Sequence, residues 1–265
     1  MKKNNAYRET MPLIGVIGGV GPYAGLDFMR NIFINTQAKH DQDHLNCMLI
    51  SCPSIIPDRT NFLLQNNDVP DKNPALGMFE SARRLYAAGA QYAAVACNTA
   101  HADRIFTPFC NMVYTSFPEL KIVNMLETCA DYVKTSLGIN RLGLLATKGT
   151  YKSQVYHEYF RAEEGFVLIE PDPPDMEKIH DAIYNEDFGI KAHSQPIAGY
   201  VQDIIQPSIY RLIDSGAEGI ILGCTELPLS VKAQDFSIPI IDPGILTARR
   251  LIALTAPEKL ACEGA

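Results

Sequence analysis

The chain has 265 residues, 47% hydrophobic and 20% charged, which is enough for a sizeable core in one large α/β domain or two compact ones. A formal net charge of −7 without a Lys/Arg cluster argues against a nucleic-acid surface, so a small anion would need a few cations placed locally. The sequence contains no apolar run of about 18 residues, so no helical membrane span or membrane partner is expected.

The opening residues 1–10 are polar and read as a flexible tail. The apolar stretch from Met11 is short and broken by glycines, so it reads as a first strand and turn and not as a signal peptide. Seven cysteines without a framework of spacings are then expected to be reduced thiols in the cytoplasm. Cys47 and Cys52 share one strand-like segment without matching partners, so no metal site is expected there.

Strands are predicted at 12–17, 47–52, 92–97, 121–125, 141–146, 166–170, 218–223 and 238–242. Helices are predicted at 24–38, 74–89, 126–137, 151–164, 175–186, 195–215 and 244–254. The strands are continuous apolar runs, as when helices cover both faces of a parallel sheet, and the alternation is that of an α/β fold. The segment "QNNDVPDKNP" (65–74) reads as a loop near Arg59, either a surface connection or a mobile lid. "GVGPYA" (19–24) matches a dinucleotide fingerprint. Pro22 removes a loop N–H, however, and the second strand ends in Cys52-Pro53 where a ribose would need an acidic residue. "ATKGTYKS" (146–153) lacks the Gly-Lys-Ser/Thr core of a phosphate loop.

Internal similarity says more. "GAQYAAVACNT" (89–99) lines up with "GAEGIILGCTE" (216–226), so that Cys97 recurs as Cys224, 127 positions later. "LIGVIGG" (13–19) similarly matches "RLGLLAT" (141–147), and "KIVNM" (121–125) matches "PIIDP" (239–243). Landmarks repeated in order at nearly constant spacing indicate two α/β halves related by a pseudo-two-fold axis. Each cysteine ends its strand at the carboxyl edge, where open α/β sheets bind ligands, so the halves can present two thiols to one cleft.

Two acid/base groups on opposite sides of a small ligand suit proton removal from carbon on one face and return on the other. A thiolate is a polarizable base whose ordinary pKa near ~8.5 falls beside a helix N-terminus or polar neighbour. Asn98 and Thr99 after the first cysteine, and Thr225 and Glu226 after the second, can open helices and supply donors for a carboxylate and its enediolate-like transition state. His101 can tune Cys97 or cap a helix.

"IGVIGGVGP" (14–22), "ACNTAH" (96–101) and "GCTELPL" (223–229) together resemble the cofactor-independent aspartate/glutamate racemases. The "GGxGP" opening is similar to the aspartate-racemase branch, and the resemblance runs from Met11 to about Leu254. It implies two doubly wound parallel-sheet domains with the active site in the cleft between them, no cofactor, an amino-acid substrate and a homodimer. It also implies that Cys97 and Cys224 are the acid/base thiols, and that Asn98, Thr99 and Thr225 hold the α-carboxylate and ammonium groups. Gly19, Gly21, Ala100 and Glu226 complete the implied binding set, while Arg59 and Lys191 match the basic residues that favour a side-chain carboxylate. The expected division is a first half over 1–127, joined again by 242–265, and a second over 128–241. Family members commonly carry Ala-Thr after "GGxGP"; Tyr23-Ala24-Gly25 stands here, which leaves aspartate, glutamate and bulkier amino acids open as substrates. Hydantoin racemisation, maleate isomerisation and malonate decarboxylation are alternatives on related folds. A catalytically silent amino-acid-binding protein is the alternative of another class.

Overall fold

A computed structural model describes residues 11–65, 70–161 and 164–262. The expected tail at 1–10 and the middle of the 65–74 segment lie outside the described residues. Four parallel strands, β1 (Leu13–Gly18), β2 (Asn46–Ser51), β3 (Ala90–Val95) and β4 (Lys121–Val123), form one sheet in the order β2-β1-β3-β4. A second parallel sheet of β5 (Arg141–Ala146), β6 (Val167–Ile169), β7 (Gly219–Gly223) and β8 (Ile240–Ile241) repeats that order as β6-β5-β7-β8. The eight strands lie where the apolar runs predict them, and the fold is the expected doubly wound α/β type. Among the described residues no helix is long and apolar enough to cross a membrane.

Helices cover both faces of each sheet. Against the first lie α1 (Pro22–Ile34), α2 (Arg59–Leu64), α3 (Pro74–Ala87) and α4 (Asp103–Ser116). Against the second lie α5 (Met125–Tyr132), α6 (Lys148–Ser153), α7 (Pro173–Tyr184) and α8 (Gly199–Asp214). The last helix, α9 (Pro243–Thr255), packs on both α1 and α5, and its Ala248, Leu251 and Ile252 share a core with Ile14, Val16 and Phe28.

Two helices are absent from the sequence-based expectation. In α4, Pro108 hides the helix by removing one backbone donor, yet Ile105, Phe109 and Val113 still recur on one buried face. The Arg104 carbonyl, which that donor would have met, instead accepts a hydrogen bond from Asn73 Nδ2 at 2.9 Å. The short α2 depends on Asp58, whose side chain accepts from Asn61 N at 2.7 Å and caps it. The helix expected over 151–164 is instead α6 followed by a 3₁₀ turn at Val155–Glu158, because Gln154 takes a left-handed conformation with φ of 55°.

Strand register puts the site where it is. Ile17 of β1 pairs with Val95 of β3, so the glycine turn after β1 emerges beside Cys97. Ala146 of β5 pairs with Gly223 of β7, which sets Thr147 beside Cys224. In both sheets these neighbouring strands are connected in opposite directions, and the crevice between them is the usual ligand position of open α/β sheets.

His101 anchors the first thiol turn. Its Nδ1–H donates to the Cys97 carbonyl at 2.8 Å, and its Nε2 accepts from the Met125 amide at 3.3 Å, tying the turn to the start of α5. The ring touches the Cys97 backbone and acts as a structural clip, not as a partner of the thiol. Burial pushes its pKa down to about 4, against the raising effect of the hydrogen bonds to the Cys97 and Asn98 backbone. A base whose pKa is lower folded than unfolded stabilises the fold fully above its unfolded value near ~6.5 and loses that contribution as pH falls toward 4. Urea unfolding between pH 7 and 4 should therefore show wild-type stability falling more steeply than that of His101→Gln. Parallel curves for the two proteins would remove His101 from this role.

Candidate active site

The two thiols sit at equivalent points of the two sheets, both buried. Cys97 follows β3 and is succeeded by a 3₁₀ turn at Thr99–His101; Cys224 follows β7 and is succeeded by one at Leu227–Leu229. Short 3₁₀ turns thus stand where the sequence suggests helix starts. They expose fewer aligned N–H groups than an α-helix end does, so charged side chains must supply most of the electrostatics.

Hydroxyl contacts join the two turns across the halves. Thr225 Oγ1 donates to the Ala96 carbonyl at 3.2 Å, crossing from the second thiol turn to the residue before the first thiol. In the other direction Thr99 Oγ1 lies 3.2 Å from Thr147 Oγ1 and 2.9 Å from Thr150 Oγ1. Thr60 Oγ1 on α2 also donates to Thr147 Oγ1 at 3.2 Å. Gly149 permits this approach, since a Cβ there would sit 2.8 Å from the Thr60 backbone. Thr99 and Thr225, read from the sequence as ligand-holding residues, thus have their hydroxyls engaged in this seam.

Between the halves lies a cavity of about 230 Å³ lined by Gly19, Gly21, Arg59 and Asp58 from the first half and by Lys191, Ser194 and Glu226 from the second. Cys97, Asn98, Thr99, Ala100, Cys224 and Thr225 do not line it; the thiols adjoin it through Arg59, beside Cys97, and Glu226, which contacts Cys224. A groove beside α8, lined by Ile205, Ile209, Val231 and Phe236, carries no thiol.

Each thiol meets a different charge. The Arg59 guanidinium lies beside the Cys97 side chain and interacts with it electrostatically, and its Nη atoms donate to the Val20 carbonyl and, at 3.3 Å, to the Pro57 carbonyl. Burial opposes the Arg59 charge, but Cys97, Tyr184 and Asp58 beside it outweigh that and raise its pKa. Its Nε is buried without a partner, as is Nδ2 of Asn98, whose Oδ1 accepts from Tyr156 at 2.6 Å. Two unmatched donors near one thiol are an opening for an anionic ligand.

Cys224 instead donates to a carboxylate, with its Sγ 3.0 Å from Glu226 Oε2. Glu226 Oε1 pairs with Lys191 Nζ, and the Lys191 ammonium also lies 5.2 Å from the centre of the Tyr184 ring. Burial acts against the Glu226 charge, but Lys191 and the Cys224 hydrogen bond overcome it, so its pKa is lowered. Lys191 is likewise held charged: burial opposes, and Glu226 and Cys224 prevail. Burial first, and the Glu226 anion second, push the Cys224 thiol well up. Gly21 is indispensable to this arrangement. Its φ of 153° favours glycine, and a Cβ would collide with Glu226 Oε1. Gly19, at φ of 73°, would bring a Cβ to 2.6 Å from the Cys52 amide.

Sequence reasoning passed over Asp58, Tyr184 and Ser194. Asp58 had a signal, an acidic residue opening "DRTNF" as a helix cap. Tyr184 had none: it reaches Asp58 Oδ2 at 3.0 Å from the far end of α7, a contact with no local signature.

A model of the Asp/Glu/hydantoin racemase family matches residues 17–251. The structure is similar to that of an aspartate racemase of Picrophilus torridus, 27% identical with a TM-score of 0.78 over 95% of this chain and 96% of that one. A Pyrococcus horikoshii aspartate racemase homologue shares the fold at 24% identity, with a TM-score of 0.70 over 93% and 100% of the two chains. The broad-specificity amino-acid racemase RacX of Bacillus subtilis is 22% identical over 91% of this chain and 97% of its own. With the family model spanning both sheets and both thiol turns, the chain belongs to the Asp/Glu/hydantoin racemase family and is an isomerase of that kind.

Proposed function

We propose that the protein interconverts L- and D-aspartate, or a close acidic relative, without a cofactor, using Cys97 and Cys224 as its two acid/base groups. The observation that carries this reading is one cavity whose walls hold Arg59, beside one sulfur, and Lys191 with Glu226, which contacts the other. An amino acid's α-hydrogen is very weakly acidic, so the negative charge that grows on its α-carboxylate must be stabilised by fixed donors. The unmatched Asn98 Nδ2 and Arg59 Nε are such donors, buried where water cannot compete. Arg59 also offers a counter-charge to Cys97 when that sulfur is the base, and Cys224, a thiol in the ligand-free site, exchanges the roles of acid and base with it between the two directions of the reaction.

Two cations in one buried cavity favour a substrate with two carboxylates over one with a single carboxylate. The similarity to a broad-specificity racemase, together with Tyr23 standing half-exposed at the cavity rim, makes glutamate the comparison substrate. We take the working form to be the homodimer that the family resemblance implies.

L-aspartate incubated with the protein in deuterated water should acquire deuterium at Cα and yield D-aspartate. Cys97→Ala and Cys224→Ala should each lower that rate by about a hundredfold or more. Wild-type rates in either variant would end the two-thiol reading, and no exchange with aspartate or glutamate would end the racemase reading itself. Gly21→Ala should displace Glu226 and reduce kcat out of proportion to any change in the urea midpoint; an unchanged kcat would show that the Glu226 position is immaterial.

A further inference from the structure

Glu226 is the only carboxylate in direct contact with either thiol among the described residues, and its two oxygens face different partners. Oε2 accepts from Cys224, and Oε1 is paired with the Lys191 ammonium. The two partners differ in access. Both side chains line the cavity, but that of Lys191 is 22% exposed whereas that of Glu226 is only 4% exposed. A ligand carboxylate entering the cavity therefore meets Lys191 before it meets Glu226.

We propose that Lys191 and Glu226 form a substrate-operated switch for Cys224. Without ligand, Lys191 holds Glu226 as an anion and Cys224 stays a thiol. A dicarboxylic amino acid brings its second carboxylate to Lys191 Nζ, which releases Glu226 Oε1. The freed carboxylate then takes the Cys224 proton: the S–H bond breaks, an O–H bond forms on Oε2, and the negative charge passes to sulfur. The ligand's added charge stays balanced by Lys191, which the Tyr184 ring continues to hold at 5.2 Å. Departure of the product restores the Lys191–Glu226 pair and returns the proton to sulfur. The inference rests on the racemase reading and adds to it that acidic substrates are selected in turnover as well as in binding.

The surroundings leave Glu226 as the acceptor. Besides Glu226 and Lys191, the groups acting on or felt by Cys224 are Tyr151, Tyr156 and Tyr184, and burial raises all three phenols, which keeps them neutral. Arg59 reaches Glu226 only as a further cation. Thr225 Oγ1 lies 3.4 Å from Oε2 but already donates to the Ala96 carbonyl, so it does not replace the thiol proton.

The test is an ultraviolet difference spectrum for thiolate at neutral pH, in the intact protein saturated with racemic aspartate, which stays at equilibrium during turnover. Wild-type protein should gain a thiolate signal with aspartate and none with racemic alanine, and the gain should vanish in Cys224→Ser and Glu226→Gln. Glu226→Gln should also lose about a hundredfold in kcat for aspartate, with KM moving far less. An aspartate-induced signal of wild-type size in Glu226→Gln overturns the switch, as does its absence from wild-type protein that racemises aspartate; in both cases the racemase reading survives. Wild-type protein that exchanges no deuterium into aspartate overturns that reading and the switch together. Because the wild-type spectrum needs no substitution, the test stands even where Glu226→Gln does not fold.

Discussion

Everything in the site follows from where parallel strands end. In each sheet β1 and β3, or β5 and β7, lie side by side with their carboxyl ends level, and the chain leaves them in opposite directions. The backbone there opens a crevice that helices cannot fill, since each helix packs against a face of the sheet. One such crevice holds the glycine turn and Cys97. The other holds Thr147 and Cys224. The contact from Thr225 to the Ala96 carbonyl and the threonine cluster across α2 and α6 bring the two crevices together. The cavity exists because two copies of the same switch point face each other.

Duplication makes the scaffold nearly symmetric, but the charges break that symmetry. One thiol borders a guanidinium and the other a carboxylate, so the two sulfurs start from different electrostatic positions. Burying Arg59, Lys191 and Glu226 together carries a desolvation penalty that only close pairing offsets. That pairing is present: Lys191 and Glu226 neutralise each other, and the Arg59 charge is met by carbonyls and by Asp58, Tyr184 and Cys97 around it. A site that holds its cations in matched pairs can turn one of them to an incoming anion without leaving a bare charge behind.

The strands were easy to read because both faces of each are buried, which makes them unbroken apolar runs. Helix α4 was not, because Pro108 looks like a stop signal. Only the Asn73 side chain, donating from the cap before α3 to the Arg104 carbonyl, makes the proline harmless, and that contact joins residues 31 positions apart. His101 shows the same limit at a single residue. Its type and position suit a thiol partner, and a 2.8 Å bond to a carbonyl with a Met125 amide on the other nitrogen makes it a clip.

By itself the sequence determined the doubly wound α/β class, the two equivalent halves and the thiol that ends the third strand of each. These depend on hydrophobic runs and a repeat, and both are properties of local order along the chain. Tertiary structure alone decided what each thiol touches. Arg59 comes from α2, Lys191 from the stretch after α7 and Tyr184 from the end of α7; they meet because the two halves together wall one cavity. Neither spacing nor composition carries that information, because a contact across the cleft is set by the packing of distant elements and leaves no periodic trace in either segment.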